Sequence, residues 1–175
     1  MVPPDAVVEV GAPPFTAVEI HDAMPEGTMV RMRVEEAGKA PVEKRWVVTK
    51  ATDADCTIHE TIWDGPTLVE DRGETTSRWS ALRDHADFRG KNVVESDETI
   101  ASMDGLATAH VYTLTDPDGT VTSFAFLRDL AGPPVRMTVT RGGETILLMT
   151  QFERRSVRSD QETEYLDAIE AIRQD

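Results

Sequence analysis

The chain has 175 residues, 39% hydrophobic and 29% charged, with 32 acidic side chains against 18 basic ones and a formal charge of −14. That length and composition suit one globular domain with a core of its own and argue against a disordered chain. The charge argues against nucleic acid and anionic lipid surfaces as partners, because no basic patch offsets it; the densest basic run is the short ERRSVR at 153–158.

The one cysteine, Cys56, excludes an intrachain disulfide, and its place in the apolar-alternating run CTIHETIW predicts a buried, inert thiol. No apolar run approaches a membrane span, so no transmembrane segment is expected. The start MVPPDAVVEVGAPPF lacks the basic and apolar parts of a secretory signal. As written the chain reads as cytoplasmic; removal of a leader would make it periplasmic.

Residues 1–14 hold four prolines and read as an extended lead-in. At FTAVEI, Thr16 can cap a helix, Glu19 can return the bond, and Phe15 can pack on Ile20, which together make a capping box with a hydrophobic staple. Pro25 and Gly27 end that helix early. From residue 28 the period becomes two: Val30, Met32 and Val34 share one face, Arg31, Arg33 and Glu35 the other. EKRWVVTK, CTIHETIW and TLVEDRGETT follow as strands separated by turn residues, which predicts antiparallel neighbours. On this pattern His59, with Thr57 and Thr61, belongs to the wetter face of its strand, and Glu35, Glu36 and Glu43 face solvent.

SRWSALRDHADF interrupts the meander, with Trp79, Leu82 and Ala86 at helical spacing, and reads as a short helix packed on the sheet. Strands resume at 92–102 and 106–115, DPDGT has the composition of a tight turn, and TVTSFAFL is the next strand. Pro133 and Pro134 cannot supply ladder donors, so they mark a corner or a sheet edge. VRMTVTR and ETILLMTQF then pair across the glycines at 142 and 143. Ser159 and Glu162 make a second capping box, and Tyr165, Ile169 and Ile172 an apolar stripe, which predicts a C-terminal amphipathic helix.

The sum is a β-dominated α+β fold, a curved antiparallel meander (an incomplete barrel) of about nine strands with two short helices and the terminal helix. Residues 1–14 are the lead-in, 15–158 the curved β domain, and 159–175 the helix, part of the same domain.

Nothing in the sequence assembles a catalytic constellation. The four histidines, His21, His59, His85 and His110, show no zinc-binding spacing, so no metal and no cofactor is expected. DPDG holds half of a calcium loop without the rest, and turn chemistry accounts for its aspartates. A small metal- or His-dependent enzyme using His85 or His110 is the third reading. The apolar face, by contrast, offers a ligand-binding set: Trp46, Phe124, Phe126, Met137 and Met149, with His110 and Tyr112 sharing a face. Phe152 extends the same apolar series. These side chains either line a cavity or fill a packed core.

The segment FLRDLAGPPVRMTVTRGGETILLMTQF, with Asp129, Gly132, Pro134 and Gly143 at its turns, resembles the late strands of the LolA-like and LolB-like lipoprotein carriers. The resemblance implies an incomplete barrel in the periplasm with an apolar cavity for acyl chains. The leading expectation is therefore a non-catalytic binding protein that holds an apolar small molecule, a lipid or a partner segment against the concave face. The alternative is an accessory protein–protein module with a dry core, and open sheet edges would also allow a homodimer.

Overall fold

The structure is a computed structural model that describes residues 9–156. Most of the lead-in and the helix expected from residue 159 lie outside the described residues. The described elements run α1 (Ala17–Ala23), β1 (Thr28–Glu36), β2 (Val42–Ala51), β3 (Asp55–Asp64), β4 (Thr67–Arg78), α2 (Trp79–Asp84), β5 (Val93–Ser102), β6 (Gly105–Thr115), β7 (Val121–Leu127), β8 (Arg136–Arg141) and β9 (Glu144–Ser156).

The nine strands form one sheet in the order β4-β3-β2-β1-β9-β8-β7-β6-β5, antiparallel throughout. Two meanders, β1 to β4 and β5 to β9, are thus joined where β1 meets β9. The sheet is curved and not closed, and β4 and β5 are its edges. This is the β-dominated α+β fold that the two-residue period called for. None of the described helices is long and apolar enough to cross a membrane.

The local rules explain the helices. The Thr16 side chain accepts from the Glu19 N–H at 3.2 Å, and the Glu19 carboxylate accepts from the Thr16 N–H at 2.7 Å. Phe15 and Ile20 are buried together, so cap and staple fix where α1 enters. α2 buries Trp79, whose indole N–H donates to the Thr52 carbonyl at 2.8 Å. Both helices lie on one sheet face, over Val48, Cys56, Tyr112 and Phe126. Burying each such large apolar side chain is worth about 1.5–3 kcal/mol relative to leaving it in water, which offsets the cost of ordering short helices that would not stand alone. Cys56 is buried as expected, and burial followed by the nearby Asp55 charge pushes its thiol up to about 11.

Three expectations need correction. His59 and Thr61 are not on a wet face: they are 3% and 0% exposed. Strand β4 carries register shifts opposite Glu60/Thr61 and Ile62/Trp63, and Asp71 comes within 2.6 Å of His59 Nε2. Alternation assigns a side chain to a face but does not say whether a bulged neighbour covers it. Glu43 is not solvent-facing either. It accepts from Arg31 at 2.6 and 3.0 Å and also pairs with Arg45, which stacks on Trp63 at 4.1 Å. Phe152, finally, does not join the apolar series. It is 42% exposed on the opposite face, with the Arg31 guanidinium 4.9 Å above its ring. In the β1–β9 register Arg31 pairs with Glu153 and Met32 with Gln151, so Phe152 is the extra residue of a bulge.

Candidate functional site

Between the helices and the sheet lies a cavity of about 160 Å³. Four separate stretches of chain build it. α1 contributes Ile20 and Met24; the α2 region contributes Leu82, Ala86 and Phe88, with His85 at its rim. The sheet supplies Trp46, Ile58, Phe124 and Phe126, and the loop between β7 and β8 closes the wall with Gly132, Pro133 and Pro134. The two prolines therefore stand at a corner over the sheet face, between interior strands, and not at a sheet edge.

The aromatic wall is held by specific contacts. Phe88 stacks on Phe124 with centroids 5.2 Å apart and leans on Tyr112 at 5.1 Å; Tyr112 meets Phe126 edge-on at 5.8 Å, and Phe126 meets Phe15 at 6.1 Å. Such edge-on and offset pairs are the arrangements that the ring quadrupoles favour. The indole N–H of Trp46 donates to Glu60 at 2.6 Å, and Glu60 in turn takes Arg72 at 2.8 Å with Lys44 3.9 Å away. Burial raises the Glu60 carboxyl, but the Arg72 and Trp46 hydrogen bonds outweigh it, and its pKa ends below the ordinary value. The polar edge of Trp46 is thus satisfied outside the cavity, which leaves its ring as lining.

The candidate residues read from the sequence separate into three groups. Trp46, Phe124 and Phe126 meet around the cavity. His110 and Tyr112, with Phe126 between the two places, border an open depression of about 450 Å³ beneath Ala12, Pro13 and Pro14. Met137 and Met149 pair across β8 and β9 and continue the face of Phe124, half-buried and outside the cavity lining. Ile20, Met24, Leu82, Ala86 and Phe88 were not candidates, although the helical spacing that placed Leu82 and Ala86 against the sheet was their signal.

In the second depression each ring nitrogen of His110 faces a carboxylate, Nε2 to Glu95 at 2.9 Å and Nδ1 to Asp97 at 3.0 Å, and Arg128 also reaches Asp97 at 3.0 Å. The Tyr112 hydroxyl donates to the Ala12 carbonyl at 2.7 Å. Burial, and then the Glu95 charge, push its phenol up to about 12, so at neutral pH it is a donor that ties down the chain. Among the described residues no group of three or more His, Cys, Asp or Glu side chains could hold a metal ion.

An open antiparallel sheet, roofed on one face by short helices and a proline loop over apolar space, defines the class of fold. Among solved structures, MucB in complex with MucA(peri) is similar in fold, with a TM-score of 0.54 and 12% identity over 87% of this chain. The chain spans 57% of the length of that MucB chain, and at such identity the likeness is one of fold. The LolA superfamily protein NE2245 from Nitrosomonas europaea aligns over 84% of this chain and 94% of its own at 12% identity and a TM-score of 0.24, too low to carry an argument. No family model and no curated protein matches the sequence.

Proposed function

We propose that this chain is a non-catalytic binding protein that holds an apolar group in the cavity between its helices and its sheet. One observation carries the reading: where helices and sheet would normally close-pack, a partly open apolar recess of about 160 Å³ runs among Ile20, Trp46, Ile58 and Phe124. An enclosed apolar cavity of ~150 Å³ accepts benzene, so the volume here suits a guest segment of about six carbon atoms. It is smaller than the ~300 Å³ at which drug-sized pockets begin, which argues for a chain end or a single side chain over a bulky ligand.

That size also supports a second reading, in which the guest is one apolar side chain of a protein partner. The fold match adds to it, since the matched structure is a MucB–MucA(peri) complex. Because the LolA-like proteins are periplasmic, we favour the periplasm over the cytosol as the place of work.

Toluene, small and uncharged, tests the cavity. It is expected to raise the melting temperature of the purified chain by mass action, and to lose that effect in Ala86→Phe, where the new ring fills the space. No shift in the unaltered chain, or an equal shift in a folded Ala86→Phe variant, would remove the cavity from the proposal. Mass spectrometry of an organic extract then separates the readings: co-purified apolar molecules favour the first, and a captured partner with an empty extract favours the second.

A further inference from the structure

The bulge at Phe152 has a second effect. Met149 and Gln151 lie on the helix-covered face with Val34 and Met32, so simple alternation would turn Arg154 outward. The extra residue reverses this. Glu153 pairs with Arg31 on the outer face, and Arg154 pairs with Val30 on the inner one. There its Nη2 donates to the Ala23 carbonyl at 2.7 Å and to the Ala131 carbonyl at 2.8 Å. Its Nη1 is buried, and among the described residues it has no partner.

Other buried or half-buried cations of the sheet have carboxylates: Arg31 has Glu43 and Glu153, and Lys44 has Glu60. No carboxylate of the described residues is within ion-pair distance of Arg154. Burial lowers its pKa to about 10, which leaves it charged at neutral pH. A half-buried guanidinium with its Nη1 buried and no anion beside it is an expensive arrangement, and the cost is recovered when an anion arrives.

The orphan group sits directly behind the cavity wall. Gly132 and Met24 both line the cavity, and a Cβ on Gly132 would stand 2.9 Å from Met24 Sδ and 3.2 Å from Arg154 Nη1. Gly132, which has no side chain, is thus next to both Nη1 and Met24, whose flexible thioether changes rotamer readily.

We infer that the guest is a single-chain amphiphile with a carboxylate head, its tail in the cavity and its head on Arg154. This rests on the cavity reading above and adds the head group to it. A peptide fits less well, because its amides would enter a lining whose indole N–H is already committed to Glu60 and would find few partners. A hydrocarbon tail brings no polar atom until it reaches the guanidinium, whose fork matches a carboxylate in two parallel hydrogen bonds.

Three heads on one eight-carbon tail test it: octanoate, 1-octanol and octylammonium, titrated against the full chain while the Met24 methyl signal is followed by NMR. The expected order of affinity is octanoate, then octanol, then octylammonium, with octanoate at least tenfold ahead of octanol. That order runs against the chain's overall charge of −14, which would favour the cation. In Arg154→Gln, which keeps an amide donor toward the two carbonyls, octanoate should fall to the level of octanol. Equal binding of octanoate and octanol by the unaltered chain would overturn the Arg154 assignment and leave the cavity reading standing. Binding of none of the three would overturn both. A preference for octylammonium, or for a peptide with an apolar side chain over every octyl probe, would overturn the carboxylate head.

Discussion

Arg31 joins three strands through its side chain. It sits on β1, donates two hydrogen bonds to Glu43 on β2, and reaches Glu153 on β9, whose carboxylate is 2.6 Å from Nη1. Burial raises the Glu43 carboxyl, but the hydrogen bonds from Arg31 and Arg45 outweigh it and hold the net pKa below the ordinary value. Glu60 is lowered in the same way. A carboxyl depressed in the folded state binds its proton more readily when unfolded, so its contribution is complete above the unfolded pKa of about 4.3. The contribution is lost as pH falls through the folded pKa. Urea unfolding should therefore show a plateau near neutrality and a decline below about pH 4.5, where carboxyls of ordinary pKa begin to titrate. Glu43→Gln should cost about 1.5–3 kcal/mol at pH 7, the range for a hydrogen bond to a charged group, and should flatten the acid decline. An unchanged pH profile in that variant would show that the Arg31 pair contributes nothing to folding.

At the scale of elements, residues 9–14, the described end of the lead-in, form a strap. Gly11 has φ +84°, and a Cβ there would lie 2.6 Å from the Phe88 carbonyl carbon, backbone that cannot give way. The approach is close because the Phe88 N–H donates to the Gly11 carbonyl at 2.8 Å, while the Gly11 N–H reaches Glu95 at 3.3 Å. Gly11→Ala combines a forbidden contact with an unfavourable φ and should cost about 2 kcal/mol or more, at least the 1–3 kcal/mol of backbone strain alone. Thermal unfolding of the variant measures it, and a melting temperature equal to the parent's would show that the strap is free to move away. In the sequence this region reads only as proline-rich and extended, because the partners that demand a glycine at position 11 are some eighty residues away. α1 shows the opposite case. Its cap, staple and stop all lie within a dozen residues, and each was readable from local chemistry. Strand faces were readable as far as strict alternation holds. They fail at bulges, where one extra residue exchanges the sides of Glu153 and Arg154. The cavity was readable only through Trp46, Phe124 and Phe126, because its other walls, Ile58 of β3 apart, come from helices and a loop whose placement is tertiary.

At the scale of the molecule, the open sheet has two edges, β4 and β5, without a strand partner among the described residues, and an exposed edge invites another strand. This chain guards both with charge. β4 carries Glu70, Asp71, Arg72 and Glu74 and is broken by two register shifts; β5 carries Glu95, Asp97 and Glu98. The guard is electrostatic and acidic, in keeping with a net charge of −14 and a sequence pI of about 4.6. It should hold at neutral pH and weaken as the carboxyls take up protons, because repulsion between copies falls as net charge approaches zero. Light scattering at pH 7.5 should thus report a monomer. Between pH 5 and 4.6, just above the onset of the Glu43 decline, association should rise while circular dichroism still reports native strand content. Added salt separates the causes: at pH 7.5 it screens the exposed carboxylates and should itself promote association. A chain that is dimeric at pH 7.5 and indifferent to salt would mean that its edges, or another face, pair by contacts stronger than this repulsion.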